Sequence, residues 1–125
     1  MTEDSRRPAW SAAAIERAAD SFQLVINPVI YAEVSVRYSR VEALDAALPK
    51  AMFEREAIPY EAAFLAGKCL LAYRRRGGMK RSPLPDFFIG AHAAVAGYGL
   101  LTRDTARYRI YFPTLSLIAP NGAEM

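Results

Sequence analysis

Leu84-Pro85-Asp86-Phe87-Phe88-Ile89-Gly90-Ala91-His92-Ala93, followed shortly by Leu100-Leu101-Thr102-Arg103-Asp104, reads as a buried helix feeding a buried strand. Pro85 falls near the first helical position, where its missing N–H costs nothing. The apolar run from Phe87 to Leu101 is interrupted by His92 and three glycines, and it is too short for a membrane span of about 20 residues.

Working outward, Leu24-Val25-Ile26 is a short continuous apolar run, the pattern of a strand buried on both faces. Asn27-Pro28 ends it and can start a helix, on which Val29, Ala32 and Val36 are apolar and Glu33 sits one turn in. Pro8 to Asp20 has helical spacing through Trp10, Ala14, Ile15 and Ala18. Val41 to Met52 looks helical but is cut at Pro49, and Glu54 to Ile58 fits a short strand. Tyr60 to Arg76 carries the strongest helical pattern, with Arg74-Arg75-Arg76 matched to its C-terminal dipole and Gly77 as a cap. A loop over Met79 to Leu84, a helix over Pro85 to Ala96, and strands over Tyr98 to Thr102 and Leu115 to Ile118 complete the pattern. Strands alternating with helices predict an α/β fold with a largely parallel sheet. Ligands of such sheets bind beyond the carboxyl ends of the strands.

The 125 residues fit one domain with a real core, 1–125, with frayed ends at 1–7 and 121–125. Apolar residues make up 53% and charged residues 23%, which excludes a disordered chain. The net charge of +3 makes a phosphate-bearing partner plausible. Cys69 is the single cysteine, so no intrachain disulfide can form and a reducing cytoplasm is the simple reading. The first eight residues are polar with both charge signs, unlike a signal peptide.

Three lone acids stand next to apolar sequence: Glu33, Asp86 and Asp104. Burying an acid is costly unless something positive meets it. Singly, each has an ordinary explanation. Asp86 suits a first helical turn, where the dipole is worth a few tenths to about 1 kcal/mol. Asp104 suits a turn or a cap before Thr105 to Tyr108, and Glu33 a solvated helix face. Together, carboxylates at a sheet edge could hold a hard divalent ion. Such an ion lowers the pKa of a water and screens phosphate oxygens, so a phosphodiester can be hydrolysed without a nucleophilic side chain.

The Asp86 segment with Leu100 to Asp104 resembles the C-terminal half of PIN-domain ribonucleases, and within them the VapC-type toxins of bacterial toxin–antitoxin pairs. Asn27-Pro28-Val29-Ile30-Tyr31-Ala32-Glu33 is similar to that family's second acidic segment, and Arg76-Gly77-Gly78 precedes the third. The resemblance runs from about Trp10 to Pro120, and the Asp86 segment is its most specific part. It implies a three-layer α/β/α sandwich around a mostly parallel sheet. It also implies Mg²⁺ or Mn²⁺, cleavage of RNA phosphodiesters, an antitoxin partner and a homodimer. Glu33, Asp86 and Asp104 would match metal-site acids, and Thr102 a small polar residue that orients a ligand or the water.

Two departures bear on that reading. The family begins with an apolar strand ending in Asp-Thr-Asn or similar, whose aspartate is the first ligand. Here Met1-Thr2-Glu3-Asp4-Ser5 is polar and leads into the first helix, so the expectation is a sheet without its first central strand. An in-frame apolar stretch upstream of the Met1 codon would mean a ribonuclease whose start lies earlier. A close in-frame stop would mean an inactive PIN-like module that docks an antitoxin-like peptide or itself. The second departure is Arg107, which stands before Tyr108 where many members carry a further aspartate.

Arg74, Arg75, Arg76, Lys80 and Arg81 place five positive charges within eight residues, astride Gly77-Gly78. Arg76, Lys80, Arg81 and Arg103 are candidates for RNA phosphates; a dipole-matched helix end with a solvated loop explains the cluster equally well. A basic RNA-binding domain without hydrolysis is the third reading. His92, the single histidine, has the spacing of a partly buried structural residue. One histidine and one cysteine cannot build a zinc site.

Overall fold

The computed structural model describes residues 23–78, 83–102 and 105–118. In chain order these are β1 (Leu24–Ile26), α1 (Pro28–Ser35), α2 (Val41–Ala47), β2 (Phe53–Arg55), α3 (Tyr60–Arg75), α4 (Leu84–Ala96), β3 (Leu100–Leu101), α5 (Thr105–Tyr111) and β4 (Leu117–Ile118). The helix expected over Pro8 to Asp20 and the frayed ends lie outside the described residues. So does the segment concerned by the expectation of an absent first strand.

Both strand pairs are parallel. Leu24, Val25 and Ile26 lie opposite Phe53, Glu54 and Arg55, and Leu100 and Leu101 opposite Leu117 and Ile118. Among the described residues the pairs are separate two-stranded sheets. All three residues of β1 and both of β3 are buried, as strands covered on two faces must be. Only Phe53 of β2 is buried; charged residues at Glu54 and Arg55 suit an edge strand.

The core joins β1, β3 and β4 to α1, α3, α4 and α5 through Ile26, Ile30, Phe87, Ile89, Leu100, Tyr108 and Leu117. Each large apolar side chain buried there contributes roughly 1.5–3 kcal/mol. Ala62, Ala66 and Cys69 form the buried stripe of α3, and these small residues let α3 pack along α4. Burial pushes the Cys69 thiol up, away from reactive thiolate. Gly77, at φ +83°, ends α3; its N–H donates to Arg74 O at 3.1 Å, and that of Gly78 to Tyr73 O at 2.9 Å.

Several boundaries differ from the sequence pattern. α2 stops at Ala47 because Pro49 O accepts turn bonds from the N–H groups of Met52 and Phe53, at 3.0 and 2.9 Å. β2 begins at Phe53, one residue earlier than expected, and ends at Arg55. α4 starts at Leu84 instead of Pro85. The strands expected over Tyr98 to Thr102 and Leu115 to Ile118 shorten to Leu100–Leu101 and Leu117–Ile118. No helix among the described residues is long and apolar enough to cross a membrane.

Candidate active site

Asp86 occupies the first turn of α4, behind Pro83 and Pro85. Pro83 provides no side-chain cap, and the acid in the first turn sits at the positive end of the helix dipole. Its side chain is 22% exposed, and Arg107 Nη1 lies 2.5 Å from Oδ2. Arg107 belongs to α5. The acid that the sequence singles out is thus half-buried and already answered by a cation, Arg107, which the sequence marked as a departure from the resembled family.

Thr102 is fully buried just past β3, and its N–H donates to Ile118 O at 3.2 Å. Glu33 is half-buried near the end of α1, a helix that packs on α4. Asp104, Arg103, Lys80 and Arg81 lie outside the described residues. Among the described residues no three His, Cys, Asp or Glu side chains gather as a metal-holding group. The structure therefore puts Glu33 and Asp86 on adjoining helices and brings Asp86 to Arg107.

A buried polar network that sequence reasoning missed ties these helices together. The Ile30 N–H donates to Asn27 Oδ1 at 2.9 Å, capping α1. That bond orients the amide, so Asn27 Nδ2 faces His92 Nδ1 at 3.0 Å and must donate to it. The proton of neutral His92 then sits on Nε2, which points at Glu56 Oε1, 3.5 Å away. Tyr98 Oη donates to Glu56, 2.7 Å from Oε1 and 2.6 Å from Oε2. Burial lowers the pKa of His92, against the opposing pull of Glu56. The Glu56 carboxylate pushes Tyr98 up to about 12. His92 is 1% exposed, deeper than its spacing suggested, and its partners give it a structural role.

Beside Asp86, Arg107 also lines a cleft of about 270 Å³ with Tyr73, Arg76, Gly77, Gly78, Ile110 and Tyr111. The Arg76 guanidinium lies 5.8 Å from the Tyr111 ring centre. The sequence singled out Arg76 for phosphate contacts but not the cleft itself, because its walls come from both the end of α3 and α5.

The PIN domain model matches residues 1–113, and the chain belongs to the PIN domain family. Its fold is similar to that in the VapBC2 structure from Rickettsia felis bound to a DNA fragment from their promoter. The TM-score there is 0.62 at 18% identity, covering 90% of this chain and 86% of that one. It is also similar to VapBC-1 from nontypeable Haemophilus influenzae, with a TM-score of 0.67 at 16% identity, covering 87% and 86%. No curated protein matches the chain.

Proposed function

We propose that this chain is the toxin of a toxin–antitoxin pair, a cytoplasmic, metal-dependent endoribonuclease that cleaves RNA phosphodiesters. The observation that carries the reading is Asp86: a half-buried carboxylate set in the first turn of α4. Membership of the PIN family and the fold shared with the VapBC structures support it.

Asp86, Glu33 and Asp104 offer only carboxylate oxygen, the donor chemistry that Mg²⁺ or Mn²⁺ prefers. These three residues would hold the ion, and Thr102 would orient a ligand. When bound, the ion supplies charge for the phosphate and a water of lowered pKa. Arg76, Lys80, Arg81 and Arg103 would position the RNA backbone. An antitoxin and a second copy of the chain are the protein partners. The outer face of α3 supports a partner surface, since Tyr60, Phe64 and Leu71 are 92%, 68% and 40% exposed.

The test is Asp86→Asn, which keeps the shape and removes the charge. It is expected to abolish both metal-dependent RNA cleavage and growth arrest. Unchanged cleavage would remove Asp86 from the mechanism.

A second reading is favoured by the Arg107 ion pair, which neutralises Asp86 without any metal. In that reading the chain is an inactive PIN-like module that binds an antitoxin or itself. It requires that purified protein bind its partner while showing no cleavage with either Mg²⁺ or Mn²⁺.

A further inference from the structure

The cleft between the end of α3 and α5 has the chemistry of a nucleotide pocket. Two guanidinium groups line it, Arg76 from the end of α3 and Arg107 from α5. Two phenol rings and one aliphatic side chain supply apolar wall: Tyr73, Tyr111 and Ile110. The rings are held from behind. Phe87 lies 4.8 Å from Tyr111 and 6.1 Å from Tyr73, ring centre to centre, and is itself fully buried.

The glycine turn shapes the remaining wall. A Cβ at Gly78 would lie 2.2 Å from the Tyr73 ring. The N–H groups of Gly77 and Gly78 are spent on closing α3. The turn therefore contributes a surface free of side chains and donors, and anion binding falls to the two arginines. The Arg76 guanidinium lies over the Tyr111 ring, 5.8 Å from its centre, a cation–π contact that leaves its N–H donors for an oxyanion.

We propose that this cleft binds one nucleotide of a single-stranded RNA, with its phosphate on Arg76 and Arg107 and its base against the tyrosine and isoleucine wall. A phosphate alone would leave the apolar wall unused, and a base held in a duplex has no free face to offer it. Arg107 touches both the cleft and Asp86, so the bound nucleotide adjoins the candidate scissile position. The proposal rests on the ribonuclease reading for its substrate class, but its test does not require cleavage.

The experiment measures binding of a fluorescein-labelled oligouridylate to the whole chain by anisotropy, in EDTA so that no hydrolysis occurs. Arg76→Gln is expected to weaken binding roughly tenfold, the value of one charge-assisted contact. Ile110→Trp, at a residue 52% exposed, fills the cleft while keeping every charge, and is expected to weaken binding to a similar degree. Uridine monophosphate should compete where inorganic phosphate does not, and the oligouridylate annealed to its complement should compete poorly. Wild-type affinity in Ile110→Trp overturns the proposal, as does equal competition by duplex or by polyglutamate. If the cleft variants bind weakly and the wild type never cleaves, the pocket stands and the ribonuclease reading falls. If the wild type cleaves and the cleft variants bind normally, the pocket alone falls.

Discussion

Arg107 Nη1 sits 2.5 Å from Asp86 Oδ2, joining two helices across 21 residues of sequence. The side chains are 34% and 22% exposed, so the pair is partly screened by water. Such a pair stabilises the fold by about 1 kcal/mol. It also sets a competition: a divalent ion held by Asp86 would contend with the guanidinium for the same carboxylate. Arg107→Gln is expected to lower stability by about 1 kcal/mol without metal and to tighten Mn²⁺ binding roughly tenfold. Urea denaturation reads the first effect and calorimetric titration the second. Unchanged Mn²⁺ affinity would mean that Arg107 and the ion do not share Asp86.

Asn27 does two things at once. Its Oδ1 caps α1 and its Nδ2 satisfies His92, in a place only 2% exposed. Asn27→Ala loses the cap and leaves an imidazole nitrogen buried without its donor. The expected cost is about 2–3 kcal/mol, read from denaturant midpoints. A loss below a few tenths of a kcal/mol would show that the network adds nothing to stability.

His92 makes the fold sensitive to acid. Its pKa is lowered in the native state, so the unfolded chain binds this proton more readily. Stability from this residue is complete above the unfolded value of about 6.5 and falls as pH drops below it. The geometry gives the same sign, because a proton on Nδ1 would confront the Asn27 amide N–H. Melting temperature should therefore decline between pH 7 and 5, and His92→Gln should flatten that decline. An unaltered slope in the variant would assign the acid sensitivity to other groups.

Much of the fold was legible because its signals are local. β1 is an uninterrupted Leu-Val-Ile run between polar residues, and α3 and α4 carry helical spacing over more than two turns. α5 was not legible as a full helix. Thr-Ala-Arg-Tyr-Arg-Ile-Tyr reads nearly as alternation, and only Tyr108 is buried. The position of Asp86 could be read from Leu84-Pro85-Asp86, since a helix start is a local event. Its partner could not, since Arg107 reaches it only through tertiary packing. The same holds for Asn27 with His92, 65 residues apart, and for Glu56 with Tyr98, 42 apart.

Two glycines on neighbouring helices should respond in opposite directions. Gly67 lies inside α3, exposed, and a Cβ there would meet nothing within 4 Å. Gly67→Ala should stabilise by about 0.5–1 kcal/mol, because the unfolded chain loses freedom while the helix gains a better former. Gly90 lies inside α4, buried, and a Cβ would stand 2.4 Å from Phe112 Cε2 and 2.8 Å from its Cδ2. Phe112 is itself buried, at 4% exposure, so its ring has little room to retreat. Gly90→Ala should cost about 1–3 kcal/mol through overpacking, and it presses on the segment that follows Arg107. Thermal melts of the two variants decide the matter. Should both rise, Phe112 yields easily and the contact of α4 with the end of α5 is looser than its geometry implies.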